Sequence, residues 1–233
     1  MNKQRGFTLI EIAIVLVIIG LLLGGVLKGQ ELITSARVRN LIAQQDGTKA
    51  AYFGFVDRFR SLPGDYAAAV ANINGTAAFG NGNGQIEAAA TPVNVSVVAE
   101  DIAVWDHLSK SGFITGSYTH SAGAYTAANA AVNPYTAFMV MRFDAVYGDN
   151  SVTPGARHNL KTGQQLPADL LAEIDRKVDD GLPLTGTFRF SAGAGAGTAP
   201  TLALCVVPVA GSTPAQWLVI GSVEPNCGGT TLF

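Results

Sequence analysis

The chain has 233 residues, of which 48% are hydrophobic and 14% charged, and its net charge is −2. That length allows one or two domains with a real core, while the charge fraction falls below the ~25% of an average soluble domain. No chain-wide basic excess is present to mark nucleic acid as a general partner.

At the N-terminus, Lys3 and Arg5 precede a run of 21 residues, Phe7 to Leu27, whose only charge is Glu11. A helix of about 20 apolar residues crosses the ~30 Å of bilayer hydrocarbon. The positive-inside rule predicts residues 1–6 in the cytoplasm and the long C-terminal part across the membrane. A secretory signal would have an apolar region of about 7–15 residues with a small-residue cleavage site after it. Here the run is longer, and KGQELITSARVRNLIAQQ after it reads as continuing helix. A carboxylate in hydrocarbon costs about 2.5–3.5 kcal/mol, so Glu11 calls for a partner. The stretch between Arg5 and Lys28 contains no Lys or Arg, which directs the expectation to another chain, another group or the interface. A plain signal anchor with a tolerated acid near the interface is the simpler alternative.

KQRGFTLIEIAIVLVIIGLL resembles the class III leader and first helix of type IV pilins and of type II secretion pseudopilins. The resemblance rests on Lys3, Arg5, Gly6, Phe7, Thr8, Glu11 and the uninterrupted apolar run, about 25 residues in all. It implies that a prepilin peptidase cuts after Gly6, that the new terminal residue Phe7 is N-methylated, and that Glu11 pairs with the methylated amine of a neighbouring subunit during assembly. It also implies other pilin or pseudopilin subunits, an inner-membrane assembly platform and, before assembly, membrane lipids as partners. Cleavage would remove both basic side chains of the leader and leave a cationic terminus, which Glu11 of a neighbour could neutralise in an apolar filament core. Many major pilins carry a proline in the second half of the membrane segment, whereas this chain has none before Pro63. It has Gly20, Gly24, Gly25 and Gly29 instead, as close-approach faces or points of low helix propensity.

Beyond the apolar run the helix is predicted to continue over residues 28–60. Val38, Ile42, Tyr52, Val56 and Phe59 recur at helical spacing, with Leu41 and Phe53 beside them, as an amphipathic face requires. Gly47 and Gly54 each weaken the helix by about 1 kcal/mol, enough to permit a kink. SLPGDY at 61–66 ends it, since Pro-Gly punctuates structure, and residues 61–233 form the expected globular domain. Residues 67–99 are rich in Ala, Asn and Gly. EDIAVWDHLSKS (100–111) is predicted as a short helix, FITGSY (113–118) and YTAFMVMRFDAVY (135–147) as strands, and PADLLAEIDRKVDDGLP (167–183) as a helix closed by Gly181 and Pro183. GTFRFSA (186–192), LALCVVPV (202–209) and QWLVIGSV (216–223) are further predicted strands, and SAGAGAGT (191–198) is a flexible turn.

Cys205 and Cys227 are the only cysteines. In an oxidising compartment across the membrane they are expected to form a disulfide worth about 3 kcal/mol, the alternative being two free thiols. The fold class expected is α+β and pilin-like: a long helix packed on an antiparallel sheet, with an elaborated insertion and a disulfide-closed C-terminal region. LPGDY, GNGNGQIE, WDHLSKSGFITGSY and EIDRKVDDGLPLTG also resemble motifs of a bacterial subgroup of prepilin-like proteins.

Signs of chemistry are sparse. The loop from Asn81 to Glu87 has oxygen-bearing residues at alternating positions, as a calcium loop does. The EF-hand template fails, because its sixth and twelfth positions counted from Asn81 are Ile86 and Pro92, and a tight turn is the preferred reading. Asp175, Asp179 and Asp180 could share a cation, pair with Arg176, Lys177 or Arg189, or cap a turn; metal binding at either place is left open. His107, His120 and His158 stand apart without ligand spacing, and the chain has no GxSxG, P-loop or HExxH motif. The expectation is therefore a non-enzymatic structural subunit without a cofactor, in the inner membrane with its C-terminal domain periplasmic, and then in a filament in the periplasm or at the cell surface. The alternative is a membrane-anchored periplasmic module that binds DNA, sugar or a secretion substrate.

Overall fold

The computed structural model describes residues 9–88, 99–121, 123–150, 154–193, 198–208, 214–220 and 224–233. Its first element, α1, runs from Leu9 to Phe59. The chain divides into two compact units, Met1–Arg39 and Asn40–Phe233. Along the apolar run of residues 9–27 the large side chains lie open, with Leu9 88% and Leu21 73% exposed. Among the described residues, α1 is the one helix long and apolar enough to cross a membrane, and none of its apolar window is buried inside the protein.

The second unit begins within α1. Its buried helical face is Leu41, Gln45, Thr48, Tyr52 and Phe55, a spacing of three and four residues that lines one side of a helix. Of the residues expected on that face, Ile42, Val56 and Phe59 are half-buried. Phe53 is 53% exposed, and the fully buried ring is Phe55 instead. Gly47 and Gly54 do not interrupt the helix. It stops where Arg60 takes a positive φ of 53°, the left-handed step that commonly closes helices.

The remaining helices are α2 (Ala69–Asn72), α3 (Glu100–Lys110), α4 (Ala168–Val178) and α5 (Leu202–Cys205). The strands are β1 (Val140–Asp144), β2 (Arg157–Lys161), β3 (Phe188–Phe190), β4 (Val206–Val207), β5 (Gln216–Trp217) and β6 (Gly229–Leu232). One antiparallel sheet has the order β1-β2-β6-β3, and β4 pairs with β5 in a separate ribbon. Within the second unit α1 meets the sheet at β6, where the Thr231 hydroxyl donates to Gln45 Oε1 at 3.2 Å. Tyr52 stacks edge-on against Phe233 with centroids 4.8 Å apart. The core joins Phe55 and Tyr52 to Trp105 and Leu108 of α3, Met141 of β1 and Leu160 of β2. The fold is thus α+β, a long N-terminal helix with a four-stranded antiparallel sheet.

Several predicted elements change. Residues 113–118 form no strand, because Gly112 and Gly116 both take positive φ, 80° and 108°. The predicted strand at 135–147 shrinks to β1, and Leu202–Cys205 is a helical turn before the two-residue β4. β5 keeps only Gln216 and Trp217 of its predicted run, whose last residues, 221–223, lie outside the described part, as do 194–197 of the glycine-rich turn and Val209. Strands β2 and β6 and the short α2 were not anticipated.

Candidate functional site

Gly6 and Phe7, the expected processing residues, lie outside the described residues. Glu11 is described, in the first turn of α1, where a carboxylate is favoured by the helix dipole. It lies among Ile12, Ile14 and Val15 on an apolar surface.

A second cluster is built around the loop at 81–87, and two of its members were not singled out from sequence. Asp65, in the turn that follows α1, accepts from Gly82 and Asn83 at Oδ1, 2.6 and 3.1 Å, and from Gly84 at Oδ2, 2.7 Å. Asn81 and Asn83 each fold back on the backbone two residues ahead, at 2.8 Å. Gly82 and Gly84 take φ of 75° and 82°, which explains the glycines. Glu100 at the start of α3 accepts from the N–H groups of Asn81 and Glu87 at 2.9 and 3.1 Å. Glu87 in turn accepts from the side-chain amides of Asn81 and Asn83, both at 3.1 Å. The result is a tight double turn, as preferred from sequence. Burial pushes Glu100 up to about 7, against its two N–H donors, and the charges of Asp65 and Glu87 add to the rise. Burial also raises Asp65. Asp65, Asn81, Asn83, Glu87 and Glu100 are the oxygen-bearing side chains there that a hard cation would need.

His107, on α3, is fully buried. Its Nδ1 accepts from Gly64 N–H at 2.9 Å, so Nε2 carries the proton and donates to Ala78 carbonyl at 3.0 Å. Burial lowers its pKa. It is a packing residue that joins α3 to the Pro-Gly turn and to the segment before the loop.

The ligand atoms of Asp175, Asp179 and Asp180 lie within 4.8 Å of one another. Each is engaged as a cap. Asp175, fully buried, accepts from Trp217 Nε1 at 2.7 Å and Gly181 N–H at 3.1 Å. Asp179 accepts from the N–H groups of Thr187 and Phe188, and Asp180 from Leu182 N–H and the Thr185 hydroxyl. Burial lifts Asp175 to about 6 despite the Trp217 bond. Of the ion pairs considered from sequence, Lys177 pairs with Glu173 and Arg189 with Asp149 instead. The Asp175–Trp217 bond ties α4 to the β4–β5 ribbon, and Cys205 and Cys227 close that region as a disulfide.

Residues 1–27 match the family model described as the prokaryotic N-terminal methylation motif. The chain carries the hallmark of type IV pilins and pseudopilins. The methylation motif spans every expected site residue at the N-terminus, Gly6, Phe7 and Glu11, and it supports a prepilin-like substrate of prepilin peptidase. The exposed apolar part of α1 is consistent with membrane anchoring. No curated protein and no solved structure matches the chain.

Proposed function

We propose that this chain is a structural subunit, a pseudopilin or minor pilin, of a filament based in the inner membrane. Residues 1–6 are its leader, 7–27 its membrane helix and 28–60 the amphipathic continuation. Prepilin peptidase cuts after Gly6 and methylates Phe7, and the assembly platform moves the subunit from lipid into a type IV pilus or a type II secretion pseudopilus. The methylation motif, followed at once by an open apolar helix, is the observation that carries this reading. Lys3 and Arg5 before the run favour a cytoplasmic N-terminus and a periplasmic globular unit. In the filament the new amine of Phe7 meets Glu11 of a neighbour, and two charges costly in an apolar core neutralise one another. The large globular unit, from Asn40 to Phe233, favours a minor or secretion subunit over a compact major pilin.

Two variants test the order of events. Gly6→Val is expected to remain uncut and membrane-bound. Glu11→Ala is expected to be cut and inserted, yet lost from sheared filaments. Gly6→Val recovered in filaments of normal length and abundance would count against the proposal.

A further inference from the structure

Five positions pair an Asp or Asn with a following glycine: Asp46–Gly47, Asn74–Gly75, Asn81–Gly82, Asn83–Gly84 and Asp180–Gly181. At such a pair the glycine nitrogen, with no side chain to hinder it, can close on the side-chain carbonyl carbon, Cγ, of the residue before it. Closure requires that the nitrogen lose its proton and turn towards Cγ. A hydrogen bond from that N–H opposes the turn, and an anionic acceptor also opposes loss of the proton, because like charges disfavour ionisation.

Four of the five glycine N–H groups are engaged. Gly47 lies inside α1, where each N–H donates to the carbonyl four residues back. Gly82 and Gly84 donate to the two oxygens of Asp65 at 2.6 and 2.7 Å, and Gly181 donates to Asp175 Oδ1 at 3.1 Å. The carboxamides of Asn81 and Asn83 are held too. They accept from the N–H groups of Asn83 and Gln85 and donate to Glu87. Asn74–Gly75 differs in each respect. Both residues are exposed, and among the described residues neither the Gly75 N–H nor the Asn74 side chain has a hydrogen-bond partner. The side chain beside Gly75 is a cation, with Lys110 Cδ 3.7 Å from the place of a Cβ.

We propose that Asn74 is a site of spontaneous deamidation, and that Asp65 withholds Asn81 and Asn83 from the same reaction. In water the Gly75 nitrogen gives its proton to hydroxide and bonds to Asn74 Cγ. The carboxamide C–N bond breaks, and its nitrogen takes a proton from water and leaves as ammonia. A water molecule then opens the cyclic imide at either carbonyl to give aspartate or isoaspartate, with nothing oxidised or reduced. Either product places a new carboxylate near Lys110. Isoaspartate also lengthens the backbone of the turn at 73–76, in which Thr76 N–H donates to Ile73 carbonyl at 3.5 Å. The buried Thr76 donates its hydroxyl to Asp106 of α3, so a lengthened turn disturbs the packing of α3. The inference concerns the globular unit and does not depend on filament assembly.

The test keeps the full-length chain in detergent micelles in mildly alkaline buffer, with and without denaturing urea. Aspartate and isoaspartate at each Asn are then located by fragment-ion mass spectrometry. In the folded chain Asn74 is expected to convert at least about tenfold faster than Asn81 or Asn83, a difference of about 1.4 kcal/mol in barrier. In urea that preference should disappear. Asp65→Asn removes the anion while keeping the side chain's shape, and should speed conversion at Asn81 and Asn83 without changing it at Asn74. Equal rates at the three positions in the folded chain would overturn the proposal. So would an Asp65→Asn chain in which Asn81 and Asn83 convert no faster, or more slowly, the last result making Asp65 a base for the reaction and not a guard against it.

Discussion

Leu21 and Leu41 are leucines of the same helix, one 73% exposed and the other fully buried. Around Leu21 every turn of α1 is apolar on all sides, from Leu9 to Leu27 with Glu11 as the only charge. Around Leu41 the apolar and small positions recur every three or four residues, and the others are polar. An all-round apolar helix needs an apolar surrounding, whereas the periodic helix buries its stripe against its own sheet and α3. One helix thus contains a segment whose apolar side chains lie open and another whose stripe is packed within the globular unit.

Truncation on the two sides should separate them most. Phe55→Ala, which empties a fully buried site, is expected to cost about 3–5 kcal/mol in denaturant unfolding of the full chain in micelles. Leu21→Ala should leave the unfolding of the globular unit within about 0.5 kcal/mol. Equal losses would break the comparison. Next in size, replacing Cys205 and Cys227 by Ser is expected to lower the globular unit's stability by about 3 kcal/mol, with helicity of residues 9–39 unchanged by circular dichroism of the micelle-bound chain.

Two glycines sharpen the contrast within the packed half. Gly54→Ala pushes on the Phe113 ring and should destabilise by about 1–3 kcal/mol, as overpacking does. Gly47→Ala meets open space and should stabilise by about 1 kcal/mol. Reversal of those signs in urea melts would show that the ring does not rest on the helix.

The smallest effect is in pH. Glu100 rises from its ordinary 4.5 to about 7 on folding, so its favourable contribution is complete below 4.5 and is lost as pH climbs to 7. His107, with its pKa lowered by burial, acts oppositely: its contribution is present above its ordinary 6.5 and is lost as pH falls below that value. Relative to Glu100→Gln, the wild-type chain should therefore lose stability between pH 4.5 and 7, and a constant difference across that window would contradict the assignment.

What could be read from sequence follows the same division. The N-terminal motif, the end of α1 near Arg60, the helices α3 and α4 and the disulfide all carry local signals: a basic leader, Pro-Gly, helical periodicity and a lone pair of cysteines. Strands β2 and β6 gave none. RHNLK and GTTL are polar, and buried members of both are matched by distant groups. Lys161 donates to Asp144 Oδ1 at 3.0 Å and Val146 carbonyl at 3.1 Å, and Thr230 donates to Asn159 at 3.1 Å. Such pairing lives in the tertiary structure, so no window of sequence displays it. Asp65 and Glu100 were missed for the same reason, lying 16 and 19 residues from Asn81 and meeting its loop only in space. FITGSY erred in the other direction, because strand-forming side chains were outweighed by two glycines at positive φ.

Mass spectrometry of the chain's own N-terminus, after purification from bacterial membranes that contain prepilin peptidase, is the most direct check on the processing claim. The expected product begins at Phe7 and carries one methyl group on its amine. A chain that keeps Met1 to Gly6, or one that begins at Phe7 without the methyl group, would contradict it.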